Sequence, residues 1–449
     1  MEDINLKIEK LIYEGVGLSH FDNKAVFVKG GITGELVKAR IVSKNKNYLK
    51  AEIIEIIEPS KHRIKPKCPM SKPCGGCNLD FIEYDYLIKE KENILKEIFQ
   101  KFEGVEFKPF VKSPKIEEYR HKSQYPTTET KKSKRLLAGY YKERTHEIVN
   151  IKYCPIQPSV IDKIIDFIRE NWTLSAYIEK THKGLLRHIN TRISNSTGEI
   201  LVCLVLNSDI KEFEKIKPEI EEFSEKLMNG FVQVKGFFVN LNNDKTNKII
   251  GDTTILIKGQ NYITEKLGPN LYNIGVNSFF QVNPACAEIL FDEAKKLISK
   301  KGSFLDLYGG VGTIGIFMKD VVSKITLVEE NEEAITRAKE NYKLNEIQKY
   351  EVFKGCANKI MKNFIKEKRK FENIIIDPPR KGSDIETLDN ISKMTDSIIY
   401  ISCNPMTLKR DSEILIQKGF KFKSIQGFDM FPNTYHIEAL AHFERDIKN

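Results

Sequence analysis

No run in these 449 residues is both long and apolar enough to cross a bilayer, so no membrane-spanning helix and no membrane partner are expected. The opening residues, MEDINLKIEK, are acidic and lack an apolar core. No secretory leader is therefore expected, and the cytoplasm is the expected compartment. There is no internal repeat and no low-complexity tract. Cysteine is scarce, with eight in the chain, yet Cys68, Cys74 and Cys77 fall within ten residues of one another. In a cytosolic chain such clustering points to a metal or to catalysis rather than to disulfides. The scattered Cys203, Cys286 and Cys356 read as small buried hydrophobes.

What is present is a chain too long for one ordinary core, which implies two or three domains. Apolar content of 41% and charged content of 30% fit a soluble globular protein. The net charge of +10 is uneven. Residues 1–60 carry nine Lys/Arg and nine Asp/Glu, whereas 61–160 carry 21 against 13, a surplus of 8. A basic segment of this kind suits a polyanion such as nucleic acid, although solvated surface lysines give the same count.

Short runs at 6–13, 25–28, 35–43 and 48–57, separated by Gly-containing turns, predict a small antiparallel barrel ending at Pro59. Residues 83–103 carry apolar side chains at helical spacing. A strand is expected at 139–151. Helices are expected at 159–171 and 210–227, with strands at 187–194, 199–206 and 236–241 around them, a mixed α+β segment. From about residue 285 strands and helices alternate, with strands expected at 303–308, 324–329, 350–354, 373–377, 397–403, 422–426 and 435–443. That alternation predicts an α/β, doubly wound, mostly parallel sheet.

The chemistry sits at the ends of those strands, where open α/β sheets bind ligands. The apolar run Ser397–Ile401 stops on Ser402-Cys403-Asn404-Pro405, which puts a thiol at a strand's carboxyl end. The first strand runs into Asp306-Leu-Tyr-Gly-Gly-Val-Gly-Thr-Ile-Gly315, a turn that lets backbone approach a ligand. Its Gly310-x-Gly312-x-x-Gly315 spacing fits NAD as well as S-adenosylmethionine. The acidic Asp306 favours the latter, since a carboxylate there repels a pyrophosphate. Glu329-Glu330 ends the next strand and offers acceptors for ribose hydroxyls. Asp377-Pro-Pro-Arg380 locks an acidic group at the sheet edge, suited to a planar amide N–H such as uracil N3. A thiol beside a methyl donor and an edge reader suggests C5 methylation of a pyrimidine. A thiolate adds at C6, C5 attacks the methyl, and a base then removes the C5 proton. Glu438, in the apolar run Ile437–Ala441, is the candidate base, and alternation places it on one face with His436. Phe279-Phe280-Gln281 offers rings and an amide for an extruded base, with core packing the alternative use of the rings. Cys68-x5-Cys74-x2-Cys77 with a distant Cys154-Pro155 supplies four thiolates, enough for tetrahedral zinc or a [4Fe-4S] cluster. The Cys-Gly-Gly-Cys turn and the following proline lean toward the cluster.

Together FFQVN, DLYGGVGTIG, DPPRKG, SCNP, FPNTYHIE and the four cysteines resemble the uracil-5 RNA methyltransferases. Within them the chain is similar to the bacterial 23S rRNA (uracil-5-)-methyltransferase group, which carries an amino-terminal TRAM domain and a [4Fe-4S] cluster. The resemblance spans nearly the whole chain. It implies a TRAM-like (OB-like) RNA-binding barrel at 1–60, a central cluster-bearing domain at 61–265 and a Rossmann-like methyltransferase domain at 266–449. It implies that Cys68, Cys74, Cys77 and Cys154 hold the cluster, that Cys403 is the nucleophile and that Glu438 is the base. Gln281, Tyr308, Glu329 and Asp377 would line the cofactor and target-base pocket. The implied reaction is S-adenosyl-L-methionine-dependent formation of 5-methyluridine in 23S rRNA on a flipped uridine, by a monomer. Gly309 stands where the family usually has Cys. The family's tRNA branch often lacks both TRAM and the cysteines, which favours rRNA. In relatives the helix near 83–103 packs with the catalytic domain. The competing readings are a tRNA uracil-5 methyltransferase, an exocyclic-amine methyltransferase, a dehydrogenase and a non-catalytic RNA-binding or folding factor.

Overall fold

The computed structural model describes residues 3–143, 145–298 and 300–445. Among the described residues three large sheets and a two-stranded ribbon, Ile263–Leu267 with Asn270–Ile274, carry the chain, and the third large sheet positions the candidate site.

The first is a six-stranded barrel of Asp3–Lys7, Lys10–Ile12, Val16–Phe21, Lys24–Lys29, Leu36–Lys44 and Tyr48–Glu58, in spatial order first, fifth, sixth, fourth, third, second. Alternate residues such as Leu6, Val26, Val28, Val37 and Leu49 fill its core. The open ends of the sheet meet where Ser19 Oγ donates to the Lys7 carbonyl at 2.8 Å and Glu9 N–H donates to Leu18 at 2.8 Å. The run expected at 6–13 breaks in two because Ile8 N–H turns away to the Glu35 carbonyl. The strand Val16–Phe21 carries little sequence signal, because Gly17, Ser19 and His20 dilute its apolar alternation.

The second sheet has seven strands, in the order Ile148–Asn150, Leu136–Tyr141, Lys122–Glu129, Leu186–Ile193, Ile200–Leu206, Val234–Leu241 and Thr253–Gly259. Helices Ser159–Asn171 and Ile210–Gly230 bury Ile161, Ile165, Phe213 and Leu227 in one core with sheet residues such as Val202 and Leu204. The strand expected at 139–151 is a hairpin, closed by Lys142 N–H donating to the Glu147 carbonyl at 2.8 Å. Gly139 permits it, since a Cβ there would stand 1.8 Å from the Val149 oxygen.

The third sheet has eight strands, in the order Tyr350–Lys354, Lys324–Glu329, Ser303–Leu307, Asn373–Ile376, Ser397–Ser402, Glu438–Glu444, Lys421–Phe428 and Glu106–Phe107. All pairings are parallel except those of Glu438–Glu444, which runs antiparallel to both neighbours. The alternation predicted this doubly wound sheet. Its last strand begins at Glu438 rather than Tyr435, because Thr434 folds back on the Phe431 carbonyl. Glu438 therefore opens the strand, and His436 lies outside it, so strand alternation does not relate the two.

Two segments from within 61–265 pack on this third sheet. Helix Tyr84–Phe99 buries Leu87, Ile94, Leu95 and Phe99 in the same core as Phe422 and Phe443, and Glu106–Phe107 extends the sheet's edge. Leu11 and Ile32 of the barrel join that core. Among the described residues no helix is long and apolar enough to cross a membrane.

Candidate active site

The carboxyl ends of Ser303–Leu307, Asn373–Ile376 and Ser397–Ser402 share one edge of the sheet. The antiparallel Glu438–Glu444 presents its amino end at that same edge, and pairing of Ser402 with Ala439 sets Glu438 beside Cys403. Antiparallel geometry thus joins two residues 35 positions apart in sequence. Asn404 caps the helix Pro405–Gln417, its Oδ1 accepting from Met406 N–H at 3.0 Å and its Nδ2 donating to the Arg380 carbonyl at 3.1 Å. That link ties the loop of Cys403 to the Asp377–Arg380 turn.

Three acids crowd this edge. Glu438 is 2% exposed, and its carboxyl is held protonated well above the ordinary range by burial and by Asp377, with Arg380 opposing. Asp377 is pushed up to about 7 by burial and by Asp306. Asp306 is likewise pushed up to about 7 by burial, with the Gly315 N–H that donates to its Oδ2 at 2.9 Å opposing. Cys403 is pushed up to about 12, first by burial, then by Glu438 and Asp377, while Arg380 pulls it down. The resting site therefore holds a thiol at pH 7, and burial beside Asp377 disfavours the ionised form of Glu438. Gln281 is buried and donates to Asp377 Oδ2 at 3.4 Å, which brings the amide of the Phe279–Asn283 segment to the same place. The two rings before it divide their roles. Phe280 is core, 5.8 Å from Tyr272, whereas Phe279 is 65% exposed.

Beside this cluster a cavity of about 490 Å³ opens, lined by Tyr308, Glu329, Glu330, Cys356, Ser383 and Arg410 among others. Tyr308 adopts φ +68°, a left-handed conformation that a bulky residue rarely takes, and its hydroxyl lies 3.4 Å from Ser383 Oγ. Glu329 braces the glycine turn, accepting from Gly310 N–H at 3.0 Å and from Glu330 and Asn331 N–H at 2.8 Å each. Cys356, expected to be buried, is exposed on this cavity's wall; Cys203 and Cys286 are buried.

Three neighbours had no role in the sequence reading. Arg380 is a cation acting on Cys403 and Glu438. Its motif was visible, its aim was not. Tyr13 comes from the barrel, its hydroxyl 3.4 Å from Asn404 Oδ1 and its titration raised by burial, Tyr435 and Cys403. Asn404 itself was only part of a motif.

Cys68, Cys74, Cys77 and Cys154 are neighbours. The Cys77 thiol is held protonated by burial and then by Cys154, with Asp80, Cys74 and Cys68 adding to it, and burial raises Cys154 to about 12. As a donor set they suit a thiolate-bound metal. Among the described residues no group of three or more His, Cys, Asp or Glu is placed to hold a single metal ion.

The family model described as tRNA (Uracil-5-)-methyltransferase matches residues 83–446, and the TRAM domain model matches 2–54. The chain belongs to the tRNA (uracil-5-)-methyltransferase family. An uncharacterized RNA methyltransferase of Halalkalibacterium halodurans is 34% identical over 99% of this chain and 97% of its own. One from Clostridium tetani is 35% identical over 97% and 95%. The crystal structure of the Pyrococcus abyssi tRNA (uracil-54, C5)-methyltransferase, in complex with S-adenosyl-L-homocysteine, aligns with a TM-score of 0.77 and 26% identity. That alignment covers 98% of this chain and 100% of the other. This RNA (uracil-5-)-methyltransferase therefore shares its whole architecture, barrel included, with an enzyme named for tRNA. The presence of the barrel consequently does not separate rRNA from tRNA as a substrate.

Proposed function

We propose that the protein methylates C5 of a uridine in 23S rRNA with S-adenosyl-L-methionine as donor. The observation that carries the uracil C5 chemistry is the meeting of Cys403, Glu438 and Asp377 at one sheet edge beside a cavity of about 490 Å³; the choice of rRNA rests on the four cysteines, which the tRNA branch often lacks. When bound, the cofactor supplies an electrophilic methyl group. Tyr308 and Glu329 line its cavity. Phe279 offers an open ring on which an extruded base stacks. Asp377 accepts from uracil N3–H, and Gln281 orients Asp377. Cys403 adds as the thiolate, its proton passing to solvent, and Sγ bonds to C6, moving the C5=C6 electron pair onto the ring so that C5 becomes nucleophilic. After methylation Glu438, having released its own proton to solvent, takes the C5 proton as the carboxylate, the C5=C6 bond re-forms from that electron pair, and Cys403 leaves as thiolate.

The test is to map 5-methyluridine in 23S rRNA and tRNA with and without the protein, and to assay two variants. Cys403→Ala is expected to abolish transfer, and Glu438→Gln to leave RNA covalently attached to the chain. Transfer by Cys403→Ala would refute the mechanism. A second reading, tRNA as substrate, is favoured by the full-length likeness to the Pyrococcus abyssi enzyme; loss of the mark from tRNA alone would establish it. The donor set of Cys68, Cys74, Cys77 and Cys154 supports a [4Fe-4S] cluster, with zinc as the alternative. Iron and sulfide assayed in anaerobically purified protein decide between them, and no step of the reaction runs through either.

A further inference from the structure

The segment Phe431–Ile437 delivers Glu438 to the site without being part of the strand, and residues from the amino-terminal quarter of the chain hold it. Lys91 Nζ donates to the His436 carbonyl at 2.9 Å and pairs with Asp429 at 2.5 Å. Leu79 N–H donates to the Asn433 carbonyl at 3.0 Å, and Asn433 takes φ +65°. Asn78 Oδ1 accepts from Tyr435 N–H at 3.0 Å. On its other side Tyr435 meets Tyr13 edge-on, ring centroids 5.9 Å apart. Gly15 fits closely there too, since a Cβ on it would stand 3.1 Å from Tyr435 Cβ and 3.2 Å from Leu79.

We infer that Asn78 is a positioning residue for Glu438, through the hydrogen bond that fixes Tyr435, three residues before it. Asn78 follows Cys77 directly, so the cysteine loop and the barrel turn together set the approach of the carboxyl to C5. The inference rests on Glu438 being the base proposed above. Lys91 is nearer, but its buried ion pair is also a core element, and losing it confounds positioning with folding. Asn78 is only half-buried, and its side-chain acceptor is separable from the core.

A positioning role and a structural one differ in which step they slow. Adduct formation on 5-fluorouridine RNA stops before elimination, because fluorine at C5 cannot leave as a proton does. It therefore reads addition and methyl transfer alone. Release from uridine RNA reads the Glu438 step as well. Asn78→Ala is expected to slow release about three- to tenfold, the scale of one net hydrogen bond, with adduct accumulating on uridine RNA. Trapping by 5-fluorouridine RNA and kcat/KM are expected to stay unchanged, while kcat and KM fall together as adduct accumulates. Asn78→Asp keeps the acceptor and is expected to restore release. The inference fails if Asn78→Ala slows trapping and release equally, if it changes neither, or if Asn78→Asp is as slow as Asn78→Ala. Glu438→Gln serves as control. If it accumulates no adduct on uridine RNA, the assignment of the base falls, whatever Asn78 does.

Discussion

The thiol of Cys403 rests far from its reactive form, and that is open to direct measurement. Burial, Glu438 and Asp377 lift it from an ordinary 9.0 to about 12. A thiol with that value is ionised to roughly one part in 10⁵ at pH 7, a cost of about 7 kcal/mol, against roughly one in 10² for an unperturbed one. The sign is that of an acid with a raised value: the proton stays on below 12, and reactivity climbs as pH rises toward it. Alkylation of Cys403 by iodoacetamide, followed peptide by peptide, is expected to accelerate about tenfold per pH unit from 7 to 10 without levelling off. Cys356 is exposed and reacts independently, so the readout must be residue-resolved or use Cys356→Ser. Arg380 is the lever. Its charge lowers the thiol's value, so Arg380→Gln is expected to slow alkylation at every pH. The expected factor is about three- to tenfold, modest because the guanidinium is exposed and screened. A plateau between pH 8 and 9 in the free protein would refute the reasoning, since it would mean that the thiol is not lifted. Unchanged alkylation in Arg380→Gln would remove Arg380 from the site.

Two further outcomes follow from buried charge. Lys91 and Asp429 are 1% and 0% exposed, and Tyr84 OH donates to the second Asp429 oxygen at 2.9 Å. Lys91→Met strands that carboxylate and is expected to cost about 3–5 kcal/mol, read as a lowered Tm, while adding Asp429→Asn should recover most of it; no recovery would count against the pair. Asp377 has a folded value raised from 3.8 to about 7. The folded state thus holds the proton more tightly than the unfolded one, and stability is lost as pH rises between those values. The loss is at most roughly 4 kcal/mol, and level above pH 7. Asp377→Asn is expected to raise Tm at pH 8 but not at pH 4, and equal Tm differences at both pH values would argue against the shift.

What was legible in the sequence was local. Strands at Lys324–Glu329 and Tyr350–Lys354 and the helix Ser159–Asn171 follow from periodicity within their own windows, and they lie where it put them. A thiol at the end of Ser397–Ser402 was equally readable, because an apolar run stops there. Contacts made by docking were not legible. Tyr13 stands 391 residues before Asn404, and Lys91 stands 338 before Asp429; nothing in either window announces the partner. The Tyr84–Phe99 helix shows an apolar stripe, but a stripe does not say which sheet it covers. Glu438 was found by its oddity in an apolar run, yet its placement at the strand's first residue depends on the turn at Phe431–Thr434, which alternation cannot see.

The protonation of the site constrains the order of events. With Cys403 near 12 and the ionised form of Glu438 disfavoured by burial and by Asp377, both groups are pushed away from the forms the proposed reaction needs. The burial that suppresses the thiolate also suppresses wasteful alkylation or oxidation before substrate arrives. Asp377 and Asp306, each near 7, are the acids of this edge that titrate at working pH. Loss of the Asp377 proton raises Cys403 and Glu438 further, so an ionised Asp377 without a donor to satisfy it opposes both. Uracil N3–H is such a donor. In the proposed reaction, a base whose N3–H donates to the Asp377 carboxylate would offset part of the repulsion that disfavours the ionised forms of Cys403 and Glu438, coupling recognition of the base to activation of both.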